Sequence, residues 1–177
     1  MARTRSQDYD SIKQAILLAA AKLFAERSFE ATSINEIAAA AGLSKAGIYH
    51  YFDSKTDILR TMLIEHLEAV SEIVDTALNT SDAPREKFLR LTEALIENYT
   101  RPSSRNQHIV LVNDIACLPA KDREFVVSAE RRIIRATERL LHSLFPQLLD
   151  HAVFVQPITM LYFGMINWTD TWFSDKG

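Results

Sequence analysis

Glycine and proline are scarce, four and five residues in a chain of 177. Hairpins and sheets need turn clusters built from those residues, so this supply argues against a β architecture. Ala, Leu, Glu, Arg and Ile dominate what remains, a helix-forming mixture. The expected fold is all-α. Cysteine occurs once, at Cys117, which excludes an intramolecular disulfide and a multi-cysteine zinc site. A lone cysteine in an apolar stretch is read first as a small hydrophobe. No run of about 18 apolar residues exists to span a membrane. The N-terminal MARTRSQDYDS has charge but no apolar stretch behind it, so no signal peptide is expected and the chain reads as cytoplasmic. Asn167-Trp168-Thr169 matches a glycosylation sequon, which has no meaning without secretion.

Catalytic patterns are missing too. The histidines His50, His66, His108, His142 and His151 form no HExxH, and there is no Gly-rich phosphate loop or GxSxG elbow. Hence no enzyme, metal site or cofactor is expected; a helical enzyme and a ligand-free DNA-binding protein are the rival readings.

What is present is apolar periodicity. Hydrophobic residues make up 47% and charged residues 24% of the chain, enough for a packed core. Net charge is −3, but residues 1–60 carry eight Lys/Arg against seven Asp/Glu, and the acidic excess lies beyond them. A nucleic-acid partner must therefore be argued from pattern rather than bulk charge.

Ser11 is a possible cap for a first helix, with Ile12, Ile16, Ala19, Ala20, Leu23 and Phe24 on one face. Ser33 with Glu36 forms a capping box for a short helix from Ile34 to Ala41, which Gly42 stops. Ser44 then starts a second short helix, expected to reach Phe52. Two helices of about two turns joined by a tight turn holding a glycine are a helix-turn-helix. Such helices are too short to stand alone and must lean on the first through Ile37, Ile48 and Phe52. Tyr49, His50 and Tyr51 are left with no packing role. Ser54 and Asp57 begin a long helix from Lys55 to about Asn79. Further helices are expected at 84–100, 105–118, 121–144 and 150–173.

For duplex DNA, a recognition helix must offer donors to base edges, grip phosphates beside them and be anchored on its far face. Ile48 and Phe52 can anchor it. Lys45 and His50 can donate to bases, and Ala46 and Gly47 allow close approach. Tyr49, Tyr51, Thr32, Ser33, Ser44 and Lys55 can bond phosphate oxygens.

Thr32-Ser33, Ile37-Ala38, Ala41-Gly42-Leu43-Ser44-Lys45, Ile48-Tyr49-x-Tyr51-Phe52 and Ser54-Lys55 together resemble the DNA-binding signature of the tetracycline repressor (TetR) family. The match covers roughly residues 11–60. Tyr51 stands where the family often has histidine. The resemblance implies that Lys45, Ala46, Gly47 and His50 face bases and that Thr32, Ser33, Tyr49, Tyr51 and Lys55 face phosphates. It implies a ligand-responsive repressor acting as a homodimer on pseudo-palindromic double-stranded operator DNA. Residues 1–54 would be the helix-turn-helix domain, and 55–177 the ligand-binding and dimerisation domain with 55–79 as its connecting helix.

Beyond residue 80 the apolar and aromatic content suits a pocket for a hydrophobic effector, although plain core packing is the competing reading for any single residue. Candidate ligand contacts are His66, Tyr99, Asn113, Cys117, Phe125, Phe163, Asn167, Trp168 and Trp172. Gly164 to Phe173 resembles a stretch in TetR-type regulators of fatty-acid, steroid and aromatic-acid breakdown. That likeness implies an acyl-CoA thioester as effector, with arginines such as Arg101 and Arg105, or Arg131, Arg132 and Arg135, at the pocket mouth. A regulator of drug efflux responding to hydrophobic drugs is the alternative. Members of that subgroup usually carry a further helix in the dimer interface; with Gly177 the last residue, the helices at 121–144 and 150–173 are the expected interface.

Overall fold

Two serines start the two short helices by the same chemistry. Ser33 Oγ accepts the Glu36 N–H at 3.3 Å while the Glu36 carboxylate accepts the Ser33 N–H at 2.8 Å. Ser44 Oγ accepts the Gly47 N–H at 3.0 Å. Each bond satisfies a donor that the first turn cannot pair internally, worth about 1 kcal/mol. Between them Gly42 turns the chain at φ +69, a left-handed conformation in which a Cβ is disfavoured.

The computed structural model of the protein describes residues 2–147 and 152–168. It is built from α1 (Ala2–Arg27), α2 (Ile34–Ala40), α3 (Lys45–Ile48), α4 (Lys55–Leu78), α5 (Pro84–Thr100), α6 (Pro102–Asp114), a 3₁₀ turn (Ile115–Cys117), α7 (Ala120–Leu144) and α8 (Ala152–Asn167). No strand occurs among the described residues, so the all-α expectation holds. None of the described helices is long and apolar enough to cross a membrane.

Several boundaries differ from the sequence reading, among them the end of α6, which gives way to the 3₁₀ turn after Asp114 instead of running to 118. Helix α1 begins at Ala2 rather than Ser11, because nothing in residues 2–10 breaks a helix once the buried face behind them is docked. Helix α3 ends at Ile48 rather than Phe52. His50 and Tyr51 donate to the carbonyls three residues back, Gly47 O at 3.3 Å and Ile48 O at 2.9 Å, which tightens the last turn. Helix α6 begins at Pro102 rather than Arg105. Proline lacks the N–H that a first helical residue would leave unpaired, and it holds Arg101 extended at ψ 125. The end of the expected 150–173 helix lies outside the described residues.

The chain divides into two compact units. The first comprises the described residues up to His66 together with Asn106–Glu124; the second comprises Leu67–Arg105 and the described residues from Phe125 on. In the first unit, Ile16, Leu17, Ala20 and Phe24 of α1 are buried with Ile37, Ile48 and Phe52 and with Ile58, Leu59, Met62 and Leu63 of α4. Arg60 and Asp122 add an exposed ion pair at 3.0 Å. The second unit buries Val70 and Val74 of α4, Leu91, Leu95 and Tyr99 of α5, Val126, Ile133 and Leu140 of α7, and Tyr162 and Ile166 of α8.

The loop from α1 to α2 is held by side chains from far along the chain. Ser28 leaves α1 with φ 78, and Phe29 packs edge-on against Phe24 at 5.3 Å. The Lys55 ammonium donates to Phe29 O and Thr32 O, both at 2.7 Å, and lies 4.3 Å from the Phe29 ring centre. Asp114, at the end of α6, accepts the Phe29 N–H at 3.1 Å. That carboxylate is only 5% exposed, and burial pushes its pKa up.

Replacing Asp114 by Ala leaves the Phe29 N–H buried without an acceptor, and chemical denaturation is expected to show a loss of about 1–3 kcal/mol. Asp114→Asn keeps an acceptor oxygen and should recover at least half of that loss. Equal losses in the two variants would show that the hydrogen bond is not what matters.

Candidate nucleic-acid interface

The buried side of the second short helix is Ile48, fully buried, and Phe52, 3% exposed. Lys45, Ala46, Tyr49 and His50 are exposed and Gly47 is half-buried. The short α3 and the tightened turn after it crowd these groups into one patch, because a 3₁₀ turn brings residues three apart into line. Tyr51 is half-buried, its ring 4.7 Å from that of Tyr9 on α1. The Lys13 ammonium stands 5.8 Å from the Phe52 ring centre.

Glu36 is occupied by its bonds to Ser33 and by Arg27 at 3.0 Å. Those hydrogen bonds from Ser33, then the Arg27 charge, hold its carboxyl below the usual range. The Lys45 ammonium, the His50 imidazole and the Tyr49 hydroxyl can all donate to an anionic backbone or to base acceptors. Ser44 keeps its hydroxyl hydrogen, since its capping bond uses only the oxygen.

Two of the residues expected on phosphates are turned inward instead. Thr32 is 1% exposed, and its hydroxyl donates to Ser28 O at 2.9 Å. Lys55 spends two of its three N–H donors on Phe29 and Thr32 carbonyls. A loop leaving a helix has unpaired carbonyls to satisfy, and these two polar groups satisfy them. Ser33 is exposed but is engaged in its capping box. The sequence reading also missed Tyr9 and Asp114. Nothing local marks them, because their partners lie 42 and 85 residues away.

The candidate effector contacts fall in both units. In the first unit, His66 is 2% exposed with its ring 5.8 Å from that of His108, Asn113 is exposed, and Cys117 is half-buried. Burial, then Asp114 and Glu30, raises the Cys117 thiol pKa, so it is no ready nucleophile. In the second unit, Tyr99 is buried and its phenol pKa is raised by burial, then by Glu130 and Tyr162. Phe163 meets the Tyr162 ring edge-on at 5.5 Å, and the Tyr162 hydroxyl is 3.1 Å from that of Thr92. Asn167 is half-buried. Phe125 and Trp168, 51% and 68% exposed, face outward: composition shows that a helix has large apolar residues, not which neighbour covers each one. Trp172 lies outside the described residues. Among the described residues no group of three His, Cys, Asp or Glu side chains could hold a metal ion.

Residues 16–62 match the family described as "Bacterial regulatory proteins, tetR family", and residues 81–177 match "Tetracyclin repressor-like, C-terminal domain". The chain is 27% identical over 121 residues to the HTH-type transcriptional activator FasR of Mycolicibacterium smegmatis, a stretch that is 68% of this chain and 55% of FasR. It thus spans little more than half the length of that relative. A TetR-family transcriptional regulator from Bordetella parapertussis 12822 superposes with a TM-score of 0.86 at 36% identity, covering 94% of this chain and 85% of the other. AibR, in its complex with isovaleryl coenzyme A and operator DNA, superposes with a TM-score of 0.79 at 27% identity, covering 94% and 89%.

Two measurements test these placements. Gly47 does not have a positive φ, and a Cβ there would meet Ser44 Oγ at 3.4 Å and Leu43 Cβ at 3.5 Å, ordinary contacts. Gly47→Ala should therefore fold with an unchanged or raised melting point, yet bind its selected duplex at least about tenfold more weakly (about 1.4 kcal/mol). Full affinity in that variant would remove Gly47 from the interface. Burial, then His108, pushes the His66 pKa down to about 3 from 6.5. Below pH 6.5 the unfolded chain takes up a proton that the folded chain refuses, so stability falls with pH by up to about 1.4 kcal/mol per unit. In denaturant melts between pH 7 and pH 5, His66→Leu should lose that part of the slope; identical slopes would contradict a buried neutral imidazole.

Proposed function

The chain belongs to the tetR family of bacterial transcriptional regulators, and on that premise we propose that it reads a pseudo-palindromic operator as a homodimer and is released by a hydrophobic acyl-CoA thioester. The observation that carries the DNA reading is the outward patch of Ser44, Lys45, Ala46, Gly47, Tyr49 and His50 over a fully buried Ile48. Lys45 and His50 reach base edges, and Gly47 and Ala46 let the backbone come close. Ser44, Tyr49 and Tyr51 grip phosphates, while Ser33 stays in its capping box with Glu36. Thr32 and Lys55 act from behind, by holding the loop that delivers α2. Residues 1–54 serve as the DNA-binding domain and 55–177 as the effector and dimer domain.

One such patch covers a half-site only, so a second copy is needed at about 34–36 Å. Helix α8 supports that assembly. Leu161, Met165 and Trp168 follow one another at helical spacing and are 67%, 62% and 68% exposed, an apolar stripe that a monomer would leave in water. Two units laid across an operator keep other proteins out of the same groove, so the sign we favour is repression.

The effector reading draws on the complex of AibR with isovaleryl coenzyme A and operator DNA, and on the aromatic cluster of Tyr99, Tyr162 and Phe163. Helix α4 has residues in both compact units. An effector that shifts α4 or α6 would move Lys55 or Asp114, and with them the loop ahead of α2. A tenfold drop in operator affinity needs only about 1.4 kcal/mol of preference for the released state.

Selection from a random duplex library, followed by anisotropy titrations between 50 and 300 mM salt, tests the reading. The enriched sequence should be two-fold symmetric. Affinity should fall steeply with salt, because each neutralised phosphate releases counterions with a slope of about −0.9. A flat salt response, or no enrichment, would reject DNA as the partner. Leu161→Glu combined with Met165→Glu should give a monomer in sedimentation and lose the selected duplex; an intact dimer would move the interface elsewhere. Isovaleryl-CoA and longer acyl-CoA thioesters should raise the melting point and release the duplex, and no response to any of them would sink the effector class.

A further inference from the structure

Tyr51 sits just beyond the end of α3, in a turn where little of its own neighbourhood fixes a ring. Its N–H donates to Ile48 O at 2.9 Å, which settles the backbone and leaves the side chain a choice of rotamers. The ring is held from elsewhere. Tyr9 of α1 has its ring centre 4.7 Å from that of Tyr51 and its plane tilted by 33°, close to the offset stacking that aromatic pairs favour. One turn further along the same face of α1, the Lys13 ammonium stands 5.8 Å from the Phe52 ring centre and 3.9 Å from the Glu65 carboxylate. Helix α1 thus follows the chain from Tyr51 to Phe52 with two successive contacts.

Tyr9 belongs to a stretch that has no part in the core. Residues 8–11 are all exposed, and from residue 8 onward full burial begins only at Ile16. Tyr9 itself is 45% exposed, a large ring kept partly in water. Its neighbours decide between two uses for it. Asp8 and Asp10 flank it, both exposed, and carboxylates are repelled by a phosphate backbone. A tyrosine between them is badly placed to grip DNA itself. It is well placed to hold a neighbouring ring that does.

We propose that Tyr9 is a positioning residue for the DNA interface. It holds the Tyr51 ring in the orientation that presents its hydroxyl to a phosphate, so little rotamer freedom is lost when the duplex arrives. The inference rests on the DNA reading above and adds the residue that prepares one of its contacts. Because that contact is to phosphate, the effect is the same on every sequence.

Anisotropy titrations with the selected duplex, and NMR spectra of the tyrosine rings in the free chain, test it. Without DNA, Tyr9→Ala should shift the Tyr51 ring signals; unmoved signals overturn the proposal whatever the duplex does. With DNA, Tyr9→Ala should bind about three- to tenfold more weakly, to the selected duplex and to an unrelated one alike. Tyr9→Phe keeps the ring and should bind like the parent. A loss in that variant would put the Tyr9 hydroxyl on the DNA and overturn the positioning role. Tyr51→Phe removes the hydroxyl being positioned and should itself weaken binding. Adding Tyr9→Ala to it should then cost nothing further, whereas a merely structural Tyr9 would give the same loss in either background. Equal affinity of Tyr9→Ala and the parent, or additive losses in the double variant, overturn this inference alone. A parent that binds no duplex overturns the DNA reading and this inference with it.

Discussion

The backbone of one residue, Phe29, is hydrogen-bonded to two distant side chains, accepting from Lys55 and donating to Asp114. Lys55 reaches its carbonyl from the first turn of α4, and Asp114 reaches its N–H from the last turn of α6. Between them they hold the strained exit from α1, where Ser28 sits at φ 78, and the run of chain into Ser33, which caps α2. Neither of the short helices could hold its position from its own few turns. Their placement depends on α1, on the buried faces of Ile37 and Ile48, and on this clamp.

The clamp also changes how a small DNA-reading module is to be understood. A lysine beside a recognition motif invites assignment to a phosphate, but Lys55 is more useful behind the surface than on it. Its ammonium satisfies two carbonyls that would otherwise be stranded in the loop, and it lies on the Phe29 ring besides. Asp114 supplies the matching acceptor and is nearly buried; the Phe29 N–H and the Lys55 charge oppose the upward push that burial gives its pKa. The exposed groups ahead of them, Tyr49, His50 and Lys45, are then free of structural duties. The exception is Tyr51, which shares its ring with Tyr9.

The second unit also buries polar groups, among them Asn98, Thr137 and Thr159. Thr92 and Tyr162 pair with each other, and Tyr99 is held neutral by burial and by Glu130. Among the described residues, Thr80 Oγ1, Asn98 Nδ2 and Asn167 Oδ1 are buried there without a hydrogen-bond partner. Apolar surface shows a similar contrast, with α7 buried through Ile133 and Leu140 while α8 leaves Leu161, Met165 and Trp168 in the open.

Much of this architecture is local chemistry and was legible as such. Capping at Ser33 and Ser44, the stop at Gly42 and the inward pair Ile48 and Phe52 follow from side chains acting on their own neighbourhood, so the helix-turn-helix could be drawn from residues alone. Helix ends were less legible. The start of α1 and the end of α3 depend on what docks against them, and the start of α6 depends on how the residue before a proline is held. The surface donors could be named because no packing rule required Tyr49, His50 and Tyr51 together. The roles of Lys55, Tyr9 and Asp114 could not be read, since each is decided by a partner 23 to 85 residues away. Periodicity tells which residues share a face of a helix. Which of those faces meets a neighbour, a ligand or water is settled only when the chain closes on itself, because burial is a property of two surfaces and a sequence pattern describes one.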